Sequence, residues 1–188
     1  MYIEPDVKSS YTENNIGKTI YDFVYSKKPN RVLELGALNG YSTVCIGQAL
    51  RDVGWGTLVS YDLFEDYPYN NSNYKDVLTT IQEYGLSEII DLKKEDYRWV
   101  FLLQTTFANE DEFDIIHLDV SNDGNVIKDI SNRFPNSDIL FEGGTIERDN
   151  VEWMKKYDKK KMYPLKDEIG YEIVDERFPG LSLIRGKK

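Results

Sequence analysis

Cysteine is nearly missing from this chain, with Cys45 alone among 188 residues. A single thiol excludes a disulfide within the chain, and its apolar, helix-like surroundings read as those of a buried, inert side chain. Cations are in deficit: 23 Lys and Arg stand against 33 Asp and Glu, for a formal charge of −10. That balance argues against a partner held mainly through phosphate contacts, which needs clustered cations, so no nucleic-acid partner is expected. The one basic run, Lys155-Lys156 with Lys159-Lys160-Lys161, is flanked by acids and reads as solvated surface rather than a polyanion site. No apolar run is long enough to span a bilayer. The opening residues, Met1-Tyr2-Ile3-Glu4-Pro5-Asp6, lack the basic start and apolar core of a signal peptide. The expectation is a cytoplasmic protein with no membrane partner.

The residues that are present suit a globular fold. Apolar and charged side chains make up 40% and 30% of the chain, enough to build both a core and a solvated surface. Short apolar runs at 31–35, 57–62, 89–93, 113–119 and 138–141 alternate with helix-patterned stretches near 41–53, 73–84, 97–108, 124–133 and 146–156. Such alternation predicts βαβ units around a parallel sheet covered by helices on both faces. Ser72, Ser121 or Asp123, and Thr145 stand where N-caps belong. Near the C-terminus the pattern changes. The runs 171–175 and 181–185 are joined by Glu176-Arg177-Phe178-Pro179-Gly180, too short for a helix, so they must form an antiparallel hairpin. The stretch 11–25 reads as a helix, and residues 1–30 as a helical segment that packs on or covers a site. One domain, 1–188, is expected.

The strand-to-helix turn after 31–35 is the first candidate site, because free N–H groups at helix starts collect ligands along the carboxyl edge of a parallel sheet. Gly36 and Gly40 give the backbone freedom to turn and approach a ligand. Asn39 can satisfy backbone groups within the turn, and Ser42 offers a hydroxyl at the helix opening. The spacing Gly-x-x-x-Gly is neither the dinucleotide pattern Gly-x-Gly-x-x-Gly nor a Walker-type loop, so a pyrophosphate ligand is disfavoured. Carboxylates end the neighbouring strands. Asp62 is placed to accept from a ribose diol unless it is simply solvated; Asp96, or equally Glu95, to accept from an adenine amino group; and Asp119 stands further along the same rim.

These residues resemble the class I S-adenosylmethionine-dependent methyltransferases, nearest the small O-methyltransferases related to catechol O-methyltransferase. The likeness is densest in Arg31-Val32-Leu33-Glu34-Leu35-Gly36-Ala37-Leu38-Asn39-Gly40-Tyr41-Ser42. It extends more loosely to Asp62, to Phe113-Asp114-Ile115-Ile116-His117-Leu118-Asp119, and to the closing hairpin. It implies a Rossmann-like α/β fold: a central, mostly parallel seven-stranded sheet, helices on both faces and a C-terminal antiparallel hairpin. It further implies that Glu34, Gly36, Ala37, Asn39 and Gly40 shape the cofactor turn. Tyr41 and Ser42 would lie by the methionine portion, Asp62 would hold the ribose, Asp96 the adenine, and Asp119 would border the cofactor. In metal-dependent relatives the acid matching Asp119 is a metal ligand and a Lys follows three positions later; here that position is Asn122. Their later Asp-Asn pair reads Glu142-Gly143. Asp119 and Glu142 are thus the ligands available should Mg²⁺ be used.

Methyl transfer from a sulfonium is an in-line displacement, so the protein supplies alignment, exclusion of water and deprotonation of the acceptor. Candidate bases are Asp119, His117 and Glu142. The sole histidine, His117, shares a strand face with Asp119 and reads equally well as a satisfied core residue. The loop 120–124 is expected to line the acceptor pocket, and Tyr11, Tyr67, Tyr69 and Tyr74 are aromatic candidates beside it. Gly143-Gly144-Thr145 could let a helix carrying Glu147, Arg148 and Asp149 close over a ligand. The function expected is methyl transfer to a small-molecule acceptor, a hydroxyl before an amine, with a homodimer left open. A non-catalytic S-adenosylmethionine-binding partner and a nucleotide-linked oxidoreductase are the alternatives.

Overall fold

A computed structural model describes residues 1–67, 72–98 and 113–187. Seven strands form one sheet: β1 (Arg31–Leu35), β2 (Thr57–Asp62), β3 (Ile90–Lys94), β4 (Ile115–Leu118), β5 (Asp138–Glu142), β6 (Tyr171–Asp175) and β7 (Leu181–Ile184). Their order across the sheet is β3-β2-β1-β4-β5-β7-β6. The first five strands pair in parallel, and β7 runs antiparallel to both β5 and β6. This is the Rossmann-like arrangement with a closing hairpin that the sequence predicts.

Alternation along β1 builds two cores. Val32 joins one face with Leu58, Ile115 and Leu140, under α1 (Ile16–Lys27), α2 (Tyr41–Val53) and α3 (Tyr74–Glu83). Leu33 and Leu35 join the other with Ile116, Leu118 and Phe141, under Ile127 and Ile130 of α4 (Gly124–Arg133). A residue of even number in β1 therefore points beneath α2, which decides where Glu34 goes.

Several predicted boundaries shift for local reasons. The stretch expected as one helix over 146–156 is two, α5 (Ile146–Asp149) and α6 (Glu152–Lys156). Asp149 turns inward, 4% exposed, and its carboxylate accepts from the amides of Met162 (3.1 Å) and Tyr163 (2.8 Å). Val151 between them is extended, at φ −65° and ψ 147°. Thr145 caps α5 and Asp123 caps α4, whereas α3 is capped by Asn73 rather than Ser72. The N-terminal helix starts at Ile16 instead of residue 11, because Asn15 takes a left-handed turn after a short 3-10 segment. β3 lies one residue later than predicted, β4 is shorter, and a further short helix, α7 (Lys166–Ile169), precedes the hairpin. The predicted helix over 97–108 lies outside the described residues from 99 onward, as does Tyr69.

Cys45 is buried, and burial pushes its thiol well above the ordinary range, as an inert core residue requires. The basic run is partnered on the surface: Lys155 with Glu152, Lys159 with Asp123 and Lys161 with Asn150. Among the described residues no helix is long and apolar enough to cross a membrane.

Candidate active site

A cavity of about 450 Å³ opens along the carboxyl edge of the sheet, from the tips of β2 and β3 to the tip of β5. Asp62 follows Tyr61 in β2 and Glu142 ends β5; the β2-β1-β4-β5 order puts three strand spacings, about 14 Å, between those tips. One molecule with two ends, or two molecules meeting in the middle, would fit that span.

The floor is the turn from β1 to α2. Gly36 (φ 98°) and Gly40 (φ 86°) are both left-handed, and Leu38 between them is too (φ 48°). A Cβ on Gly36 would come within 2.6 Å of the Asp119 carbonyl oxygen, and one on Gly40 within 2.8 Å of Val77 Cγ1. Both glycines therefore let the turn nest against its own protein neighbours; Gly36 lines the cavity, whereas Gly40, expected beside a ligand, does not. Asp62 fastens the turn: one carboxylate oxygen accepts from the Leu38 amide (2.8 Å), the other from the Phe64 amide (2.8 Å). Each oxygen keeps a further lone pair, and Asp62 lines the cavity.

Beneath the turn lies a buried polar row. Register sets Glu34 beside Ser60 of β2 and His117 of β4. The Glu34 carboxylate accepts from Ser42 Oγ (2.7 Å), Thr43 Oγ1 (2.5 Å), Ser60 Oγ (2.6 Å) and His117 Nδ1 (3.2 Å). Burial alone would raise its pKa, but hydrogen bonds from His117, Ser60 and Thr43 outweigh that and hold it below the usual carboxylate range. The row explains why Glu34, fully buried, ties the start of α2 to the sheet: four donors on one carboxylate leave no wandering helix end.

The same geometry corrects one catalytic expectation. His117 is 0% exposed, does not line the cavity, spends Nδ1 on Glu34 and packs its ring 6.3 Å from that of Tyr11. It is a core histidine, not a base in contact with the acceptor. Glu34 likewise stays behind the cavity wall. Ser42 lines the cavity, but its hydroxyl proton is committed to Glu34. Tyr41 lines it too, with its phenol donating to Glu4. Ala37 and Asn39 also face the cavity, and Asn39 Nδ2 donates to the Lys8 carbonyl (3.1 Å), drawing the N-terminal segment over the opening.

Past β3, Asp96 reaches the cavity with Glu95 and Tyr97, but its carboxylate is gripped by Arg98 through Nε (2.9 and 3.0 Å) and Nη2 (2.6 Å). The Arg98 hydrogen bonds lower the Asp96 pKa.

The opposite end gathers Asp119, Glu142, Arg148, Ser10 and Tyr11. Arg148 Nη2 donates to Glu142 Oε1 and to Asn122 Oδ1 (2.8 Å), while Asn122 Nδ2 donates to the Glu142 carbonyl (2.7 Å). The guanidinium carbon sits 5.4 Å from the Trp153 ring and 5.9 Å from that of Phe178. Ser10 Oγ approaches Glu142 Oε2 at 3.4 Å. Burial and the neighbouring Glu142 charge push Asp119 well above the usual carboxylate range, despite the opposing pull of Arg148. Burial, then Asp119 and Glu142, raise the Tyr11 phenol as well.

These contacts decide whether a divalent cation fits. Glu142 is 4% exposed and already neutralised by an internal guanidinium, and the Tyr11 phenol interacts with the Asp119 carboxylate. Among the described residues no group of three or more His, Cys, Asp or Glu side chains could hold a metal ion. Asp119 and Glu142 do meet, but around an arginine. The sequence offers Tyr11 as an aromatic beside the acceptor pocket and Arg148 as part of a helix that could close over a ligand, but not the pairing of Arg148 with Glu142, six residues earlier and beyond a double-glycine reversal.

An α/β sheet of this topology collects ligands at its carboxyl edge, and here a cavity opens along that edge with a strand-end acid facing it. The methyltransferase domain family matches residues 33–151, more than half the chain, and the chain belongs to that family. No curated protein matches the chain at a significant level. Among solved structures it is similar to the SAH-bound methyltransferase PaMTH1 of Podospora anserina, at 20% identity and a TM-score of 0.64, over 92% of this chain and 78% of that one. It is similar to an O-methyltransferase of Bacillus cereus in complex with SAH, at 14% identity and TM-score 0.65, over 94% and 82%. It also resembles the O-methyltransferase TomG of Streptomyces achromogenes in complex with SAM, at 13% and 0.64, over 97% and 83%. At such identities the likeness speaks to the fold.

Proposed function

We propose that this chain is one catalytic domain that transfers a methyl group from S-adenosylmethionine to a hydroxyl oxygen of a small molecule in the cytoplasm. The family match over 33–151, laid on a cavity with Asp62 at one end and Asp119 at the other, carries this reading. The neighbours that hold SAH or SAM share the fold.

Bound S-adenosylmethionine supplies an electrophilic methyl group. Asp62 accepts from the ribose hydroxyls with its remaining lone pairs, and the first amides of α2 meet the methionine carboxylate, since the Ser42 hydroxyl is already engaged. Tyr67, Glu95 and Tyr97 border the adenine. Asp119, just past the tip of β4, takes the acceptor's proton; its raised pKa makes it a stronger base than an ordinary aspartate. The N-terminal segment, latched by Asn39 on Lys8 and by the Gln48 amide on Ile3 (2.8 Å each way), keeps water out. Asn122 cannot act as a base, but it orients Arg148.

Calorimetry with S-adenosylhomocysteine, followed by mass-spectrometric screening of hydroxyl and amine acceptors, tests the reading. Binding followed by a gain of one methyl on a hydroxyl compound is expected. Absence of binding refutes it.

A further inference from the structure

The cations that line the cavity are Lys8, Arg98 and Arg148. Two of them are spent inside the protein, Arg98 on Asp96 and Arg148 on Glu142. The ammonium of Lys8 has no carboxylate partner among the described residues. Its backbone, by contrast, is fixed. The Lys8 carbonyl accepts from Asn39 Nδ2 (3.1 Å), which sets residue 8 over the turn leading into α2. The rest of the N-terminal strap, residues 1–11, is tied down on either side. Ile3 pairs with the Gln48 amide, the Tyr41 phenol donates to Glu4, and Ser10 reaches Glu142 at 3.4 Å.

The wall beneath Lys8 is short of one donor. The first amides of α2 have no partner within the helix and carry only partial charge. Ser42 Oγ lines the cavity, but its proton goes to Glu34, so it offers a ligand lone pairs alone. A carboxylate seated on those amides keeps most of its charge uncompensated, and a lysine ammonium above it supplies what is missing.

We propose that Lys8 binds the carboxylate of the cofactor's methionine portion, so that the cofactor itself fastens the N-terminal strap over the cavity. The inference rests on the S-adenosylmethionine-binding reading above. The strap also carries Ser10 and Tyr11 along the Asp119 end, so a carboxylate held by Lys8 at one end steadies the wall of the other. The adenosyl part of the ligand cannot do this, because it has no anion to offer.

S-adenosylhomocysteine is titrated calorimetrically into the full chain and into Lys8→Met, which keeps an unbranched side chain without its charge. A loss of about tenfold or more is expected, the worth of a charge-assisted hydrogen bond, and Lys8→Arg is expected to recover most of it. 5′-Methylthioadenosine carries the adenosyl group without the carboxylate, and its affinity, read by displacement, is expected to be the same in the wild type and Lys8→Met. Hydrogen–deuterium exchange is expected to show S-adenosylhomocysteine slowing the strap amides of the wild type but not those of Lys8→Met. Without ligand the two proteins are expected to melt together, because the ammonium has no partner to lose. Equal S-adenosylhomocysteine affinity in both, as an acceptor carboxylate on Lys8 would give, or an equal loss on both ligands, overturns the proposal. No binding of S-adenosylhomocysteine by the wild type is the separate failure of the methyltransferase reading.

Discussion

At the Asp62 end of the cavity the ligand-facing groups come from residues 36–42 and the tip of the next strand, locked by backbone hydrogen bonds. At the Asp119 end they come from four separate places: the N-terminal segment, the tip of β4, the tip of β5 and α5. The first end is a local motif stiffened from below by the Glu34 row. The second is assembled by side chains of opposite charge and exists only once the whole sheet has formed. A fold of this kind can thus keep one end constant and vary the other, since changes around Arg148 leave the turn untouched.

The sharpest way to break that contrast is to remove what both ends share. Glu34→Ala strands the hydroxyls of Ser42, Thr43 and Ser60 and the His117 ring, and a loss of about 3–5 kcal/mol is expected in denaturant unfolding. Asp119→Asn separates the ends. Turnover on an identified acceptor is expected to fall about 10²–10⁴-fold while calorimetry finds S-adenosylhomocysteine affinity nearly unchanged.

The pH response sharpens the comparison, because the two buried carboxylates are shifted in opposite directions. The lowered Glu34 pKa contributes stability that is present above the ordinary glutamate value, about 4.3, and lost as pH falls through its folded value. The raised Asp119 pKa contributes stability that is complete below the ordinary aspartate value, about 3.9, and lost as pH rises through its folded value. Melting curves at pH 8 are therefore expected to show Asp119→Asn above the wild type and Glu34→Gln below it. Wild-type turnover is expected to fall as pH drops through the raised Asp119 value, which a pH–rate profile reads. The smallest effect belongs to Asn73→Ala, which removes the α3 cap at the Lys75 amide (2.9 Å): a loss of about 1 kcal/mol, with cofactor affinity unmoved.

The same division governs what could be read without coordinates. The limits of α2, its glycine turn and the strand runs were legible because periodicity and local turn chemistry decide them. Asp62 was legible as a strand-end acid. His117 was placed on the correct face, but parity alone could not say that Glu34 and the Tyr11 ring would enclose it. The break at Asp149 was hidden because its partners, the amides of Met162 and Tyr163, lie 13 and 14 residues away. The pairing of Arg148 with Glu142 needed the fold of the Gly143-Gly144 turn, whose left-handed residues send α5 back over the strand tip. Long-range charge pairing leaves no periodic trace in a sequence.

The most direct measurement is a calorimetric titration of S-adenosylhomocysteine into the wild-type chain and into Asp62→Ala. One-to-one binding by the wild type, weakened about tenfold or more in the variant, is the result this account requires, a carboxylate's hydrogen bonds to a ligand being worth that much. No heat from the wild type, or equal affinity in both, would contradict it.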